Sequence, residues 1–252
     1  MMNKTDIIGS FAKGLRVLEE FSTERSRLSI TDVAQGTGFD RATARRCLLT
    51  LHTLGYADYD GKFFSLTPRV LRLGIGAIAA MPIAQIVQPW LDQLSRQIGQ
   101  SSSVAILDEG EIVYIARAAQ SCVMSIGLMP GSRLPAHCTS MGRVLLAALP
   151  QTQARALIEA ADLTPRTAHS LTDPEEIMAQ IDATREAGYA VIDQEVEIGL
   201  RSIAVPLIDM HGRVTAALNT GVAAVQEDAQ DLVTAYLPSL LKAQDGLKRL
   251  LR

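Results

Sequence analysis

The sequence predicts an α+β chain in two parts, a small helix-rich unit followed by a larger mixed α/β unit, and three observations carry that expectation. Residues up to about 67 follow helical spacing and close on a hairpin signal, whereas from Ser101 onward period-two runs alternate with amphipathic helices. Charge is split the same way: residues 1–77 hold 11 Lys+Arg against 8 Asp+Glu and the rest hold 13 against 19, within a net charge of -3. A chain of 252 residues, 48% apolar and 20% charged, is long enough for a substantial core and excludes disorder as its main character. It contains no run of roughly eighteen uncharged apolar residues, and its first residues lack the apolar stretch of a secretory signal, so a cytoplasmic protein is expected. Cys47, Cys122 and Cys138 form no Cys-x-x-Cys pair and read as reduced thiols, neither a disulfide framework nor a zinc finger.

Each element follows from local chemistry. Phe11, Leu15, Leu18 and Phe21 at helical spacing predict a packing helix over Ser10–Phe21. Ser29 with Asp32 forms a capping-box pattern opening a helix that runs to Thr37 and stops at Gly38. Asp40 offers a second N-cap, and Ala44, Leu48, Leu51 and Leu54 make an apolar stripe ending at Gly55. Residues 56–59 and 62–66 flank Asp60-Gly61, a dipeptide suited to a two-residue type I′ turn. Helix, turn, helix and hairpin together predict a winged helix-turn-helix over residues 1–67. Thr67-Pro68 starts a linker helix over residues 68–81, broken at Pro82. Beyond it, Ile86, Val87, Trp90, Leu91, Leu94 and Ile98 give an amphipathic helix stopped by Gly99. Strands are expected at Ser103–Leu107, Ile112–Ala116, Val123–Leu128, Ile203–Leu207 and Val214–Leu218. Helices are expected at Ser140–Leu149, Gln151–Ala161 and Glu175–Ala187, with a last one over Asp228–Leu251 interrupted by Pro238.

With its apolar stripe turned inward, the helix after Asp40 presents Arg41, Ala42, Thr43, Arg45 and Arg46 on its N-terminal half, where a recognition helix meets base edges. Arginine carries the forked donors that pair with guanine O6 and N7, and threonine suits a thymine methyl or a phosphate. Lys62, in the hairpin turn, is placed to touch phosphate. A single arginine is more often plain solvated surface; the combination with a capped helix, a tight turn and a wing is what points to double-stranded DNA.

The chain resembles the IclR family of bacterial transcriptional regulators along most of its length. The carrying residues are Gly14–Leu18, Leu48–Leu51, Leu54–Tyr56, Leu66–Gly74, Leu134-Pro135, Thr139–Ala147, Asp193–Glu195 and Gly199–Pro206, several of them similar to the branch governing β-ketoadipate-pathway catabolism of protocatechuate and 4-hydroxybenzoate. The resemblance implies a GAF-like effector-binding and oligomerisation domain over residues 82–252, a homodimer that often pairs into a tetramer, and an inverted-repeat operator. It also implies a small carboxylate or aromatic acid effector. Carried over by position, its pocket takes Ser140, Met141, Asp193, Leu200, Ser202, Asn219 and Gly221. From the residues themselves, Thr139 and Ser140 open a helix whose free N–H groups and dipole attract a carboxylate, and His137 is a further donor or a satisfied structural histidine. Arg133, Arg143 and Arg201 are not assigned to the ligand, the last because strand alternation turns it from the side of Leu200 and Ser202.

Rival functions are weaker. Ser140, His137 and Asp193 are the residue types of a hydrolase triad, but Thr139-Ser140-Met141 is no Gly-x-Ser-x-Gly elbow. Four scattered histidines make no metal site, no cofactor motif is present, and no enzyme is expected. The main alternative is a DNA-binding regulator whose C-terminal domain only oligomerises.

Overall fold

The chain divides into two units, Met1–Ala77 and Ile78–Arg252. The computed structural model describes residues 7–22, 25–74, 81–120, 127–226 and 228–251.

The first unit contains α1 (Gly9–Glu19), β1 (Arg27–Leu28), α2 (Ile30–Thr37), α3 (Arg41–Thr53), β2 (Ala57–Tyr59) and β3 (Phe64–Leu66), with an antiparallel sheet ordered β1-β3-β2. Its helix starts are as the residues dictate. Ser29 Oγ accepts from the Asp32 N–H while the Asp32 carboxylate accepts from the Ser29 N–H at 2.8 Å, and Gly38 ends α2 at φ 72°. Val17, Val33, Ala44, Leu48, Leu51 and Phe64 form the core.

Four details depart from the sequence reading. In α1 the buried residue is Val17, while Phe11 and Leu15 are 66% and 42% exposed. The helix docks rotated from its most apolar stripe, and Leu54 is exposed as well, so these side chains border an open groove with Cys47 and Leu73. Second, Tyr59 pairs with Phe64, making the hairpin loop four residues long, 60–63, instead of two. Asp60 Oδ1 accepts from the N–H groups of Lys62 and Phe63 at 2.9 and 2.7 Å, a side-chain turn that outcompetes the two-residue form, and of the loop residues only Gly61 needs positive φ. Third, β1 is a strand with too few residues to show any period. Fourth, Thr67 caps a 3-10 turn, Pro68–Val70, before residues 71–74 turn α-helical. Positions 75–80 of the expected linker helix lie outside the described residues.

The second unit is built on one antiparallel sheet with the order β6-β5-β4-β9-β8-β7. Its strands are β4 (Ser101–Asp108), β5 (Glu111–Ala118), β6 (Arg133–Pro135), β7 (Ala190–Asp193), β8 (Leu200–Ile208) and β9 (Val214–Ala223). Helices α4 (Pro82–Ile98) and α8 (Asp231–Lys248) cover one face, packing Val87, Leu91, Leu240 and Leu247 on Val104, Ile203, Val205 and Leu218. The second helix runs through Pro238 without a break, and its Gly246 leaves room for the Trp90 indole. The other face receives α5 (Ser140–Ala147), α6 (Gln151–Ala160) and α7 (Pro174–Ala187), with Met141, Leu145 and Leu146 over Ala105, Ala204 and Ala217. The strand expected at Val123–Leu128 falls on undescribed residues up to 126, and Gly127 and Leu128 are irregular.

Two glycines give opposite expectations. A Cβ at Gly142 would stand 2.1 Å from the Ala136 carbonyl oxygen, so Gly142→Ala should cost about 1–3 kcal/mol in chemical denaturation. Gly14, inside α1 with nothing within 4 Å, should gain about 0.5–1 kcal/mol on substitution by alanine.

Candidate DNA interface and ligand cavity

Helix α3 presents a basic N-terminal half because its cap and stripe fix its rotation. Asp40 Oδ1 accepts from the Thr43 N–H at 2.8 Å, and Ala44, Leu48 and Leu51 turn into the core. Arg41, Ala42, Arg45 and Arg46 are exposed, and among the described residues none of the three arginines has an ion-pair partner. Lys62 is exposed at the wing, its ammonium 5.0 Å from the Phe63 ring centre. Thr43 is a correction: its hydroxyl donates to Asp40 Oδ2 at 2.7 Å and the residue is buried. It organises the cap instead of presenting a hydroxyl to DNA, because a short polar side chain three residues after an aspartate is captured by it.

In the second unit a cavity of about 290 Å³ lies on the sheet face that carries α5. It exists because the middle strands put small residues there: Ser101 on β4, Asn219 and Gly221 on β9, and Ser202 on β8 line it, between Leu200 at one side and Tyr114 at the other. The start of α5 forms the wall. Thr139 Oγ1 accepts from the Gly142 N–H at 3.1 Å, and Ser140 Oγ lies 2.8 Å from Ser202 Oγ. Of the expected effector residues, Thr139, Ser140, Met141, Leu200, Ser202, Asn219 and Gly221 line this one cavity.

Two expected residues do not. Asp193 sits directly opposite Arg201 in the β7–β8 register, and the guanidinium Nε donates to its carboxylate at 2.7 Å. Alternation puts that pair on the α4/α8 face, away from Leu200 and Ser202, and the pairing holds the Asp193 carboxyl below its usual range. His137 is buried in a 3-10 turn just before α5 and is not among the lining side chains. Burial, helped by the positive charges of Arg143 and Arg166, lowers its pKa below the usual imidazole value and favours the neutral ring.

Other groups around the cavity escaped the sequence reading. The loop between β7 and β8 supplies Val196 to the lining and is tied to α5 by a buried ion pair, Arg143 Nη2 to Glu195 Oε2 at 2.8 Å, while Arg143 Nε donates to the His137 carbonyl at 3.1 Å. Burial pushes the Glu195 carboxyl up and Arg143 opposes that shift. On the far strand, Tyr114 and Arg117 both line the cavity, and Arg117 Nη1 donates to Ser103 Oγ at 2.9 Å. Plain alternation would separate residues three apart. A β-bulge, in which Val104 pairs with Ala116 but Ala105 with Tyr114, leaves Ile115 unpaired and restores both side chains to one face. Nothing in the local sequence announces a bulge at that point.

The IclR helix-turn-helix domain family matches residues 10–61, and the bacterial transcriptional regulator IclR C-terminal family matches residues 75–247. The "Pca regulon regulatory protein" of Pseudomonas putida is 44% identical over 243 residues, covering 96% of this chain and 84% of that protein. The "p-hydroxybenzoate hydroxylase transcriptional activator" of Acinetobacter baylyi is 37% identical over 250 residues, covering 97% and 92%. A solved inducer-binding domain of PobR from Acinetobacter, a double mutant in complex with 3-hydroxybenzoic acid, is 33% identical with a TM-score of 0.63, covering 67% of this chain and 98% of that one.

Because the folded state lowers the His137 pKa, the unfolded chain binds its proton more readily. The contribution of the neutral ring is therefore complete above the ordinary value of 6.5 and is lost as pH falls below it. Denaturation midpoints measured from pH 8 to 5 should fall more steeply for the native chain than for His137→Gln; parallel curves would remove His137 as the cause.

Proposed function

This chain belongs to the IclR family of bacterial transcriptional regulators, and we propose that it switches genes for the breakdown of a small aromatic or related organic acid. The acid, bound in the second unit, changes the grip of the first unit on operator DNA. The observation that carries this reading is the cavity itself: one compact space, walled by the start of α5, in which seven residues scattered between positions 139 and 221 converge. The first-turn amides and hydroxyls of that helix suit an oxygen of such an acid. The relative that bears the name of a pca regulon regulator and the related domain that binds 3-hydroxybenzoic acid support the class of ligand.

For DNA, Arg45 and Arg46 are assigned to base edges in the major groove, Arg41 and the small Ala42 to the close approach of the helix start, and Lys62 to phosphate. Two copies reading an inverted repeat would set their recognition helices about 34 Å apart. The exposed apolar side chains of Phe11, Leu15, Leu54, Leu71 and Leu73 on the first unit support assembly into such a homodimer, which a tetramer would duplicate. Among the described residues no helix is long and apolar enough to cross a membrane, in keeping with a cytoplasmic regulator. Catalysis is not part of the reading: the Ser140 hydroxyl is bonded to another serine, not to a base.

The test is a DNA titration at fixed salt, using the fragment upstream of the protein's own gene and a shuffled control, with and without 4-hydroxybenzoate, protocatechuate and β-ketoadipate. Specific binding that shifts with one acid is the expected result; specific binding indifferent to every acid would leave a regulator whose C-terminal unit only assembles it. Arg45→Ala should weaken specific binding by about 1–3 kcal/mol and leave the control nearly unchanged, whereas Lys62→Ala should weaken both alike. An equal loss on both DNAs for Arg45→Ala would move that residue to a phosphate contact.

A further inference from the structure

We infer that Arg117 reads the carboxylate of the effector and that the Ser140–Ser202 hydroxyl pair reads a second oxygen at the other end of the molecule, so that the cavity selects elongated acids bearing an oxygen function opposite the carboxylate. The inference rests on the effector reading above and adds the orientation of the ligand and the group that counters its charge.

Charge distinguishes the two ends. Arg133, Arg143 and Arg201 each face a carboxylate, from Glu111, Glu195 and Asp193 respectively. Arg117 is half-buried, and its side chain donates to the neutral Ser103 hydroxyl; among the described residues it has no ion-pair partner. Among the described residues it is also the only charged one in the cavity lining. A guanidinium withdrawn from water and left without a counter-charge gains most from a carboxylate, to which it can donate in a forked, charge-assisted pair of bonds.

Position distinguishes them as well. In the register Arg117 lies opposite Ser103, Ser103 opposite Asn219, and Ser202 opposite Gly221, so β4 and β9 separate the strand of Arg117 from that of Ser202. Three strand spacings amount to roughly 14 Å, of which Arg117 spans about one by reaching Ser103. The floor between is Asn219 and Gly221, where a Cβ on the glycine would meet only the Leu200 side chain at 3.5 Å. At the far end the serine pair is neutral. One hydroxyl donates to the other across 2.8 Å, which leaves the second proton for an outside acceptor and a lone pair for an outside donor. Such a pair suits a phenol or the second carboxyl of a diacid, but it does not supply the full charge that Arg117 does.

The test is calorimetric titration of the full chain with 4-hydroxybenzoate, adipate, benzoate, which has no distal oxygen, and 4-hydroxybenzamide, which has no charge. Arg117→Gln should lose at least about tenfold in affinity for the three acids while binding the amide as well as the native chain does, and Arg117→Lys should recover part of the loss. Ser202→Ala should weaken 4-hydroxybenzoate and adipate but not benzoate. Acid affinity within about threefold of native in Arg117→Gln, or an equal loss for acid and amide, would overturn the assignment of Arg117. Equal losses for benzoate and 4-hydroxybenzoate in Ser202→Ala would overturn the distal role of the serines. A native chain that binds none of the acids would instead overturn the effector reading, and this inference would fall with it.

Discussion

The approach of α5 to the backbone of Ala136, possible because residue 142 has no side chain, is the constraint on which the second unit depends. It lets the chain reverse through Ala136–Cys138 and start a helix at once, with Thr139 as cap. The helix then settles on the alanines of the middle strands, and its first residue reaches Ser202 on β8. The same placement sends Arg143 inward to meet Glu195, which draws the β7–β8 loop over the cavity. Removing either partner would leave the other buried and uncompensated, a far larger cost than that of losing a surface ion pair.

Within the sheet a division of labour follows from alternation. The α4/α8 face carries large aliphatic side chains and is filled, whereas the α5 face carries alanine under the helix and serine, asparagine and glycine beside it. Space for a ligand is thus a property of side-chain size on one face of continuous strands, not of a gap in the fold. Polar atoms beside the helix pair with one another, Ser140 with Ser202 and Arg117 with Ser103.

The DNA-binding unit obeys a simpler rule. Its core holds three helices and a small sheet, and capping by Ser29 and Asp40 sets where each helix begins. Once Asp40 has claimed Thr43 and the stripe has gone inward, the arginines of α3 have no route but outward. A ligand can alter DNA affinity only by binding two arrangements of the protein unequally. A cavity lined by a guanidinium at one end and a neutral hydroxyl pair at the other is suited to that kind of discrimination.

Much of this was legible in the sequence because it rests on neighbours along the chain. Caps, αL glycines, helical stripes and strand periods are interactions over a few residues, and they located both helices of the DNA-reading motif, the main strands and the helix start at Thr139. The Asp60 loop and the rotation of α1 were misread where two local solutions compete and packing chooses between them. What tertiary structure alone decided was facing. Asp193 went to the far side of the sheet through its register with Arg201, and Arg117 came to the near side through a bulge opposite Val104 and Ala105. Side-chain parity along a strand reverses with one unpaired residue, and whether a residue is paired is settled by the neighbouring strand, which a single stretch of sequence does not contain.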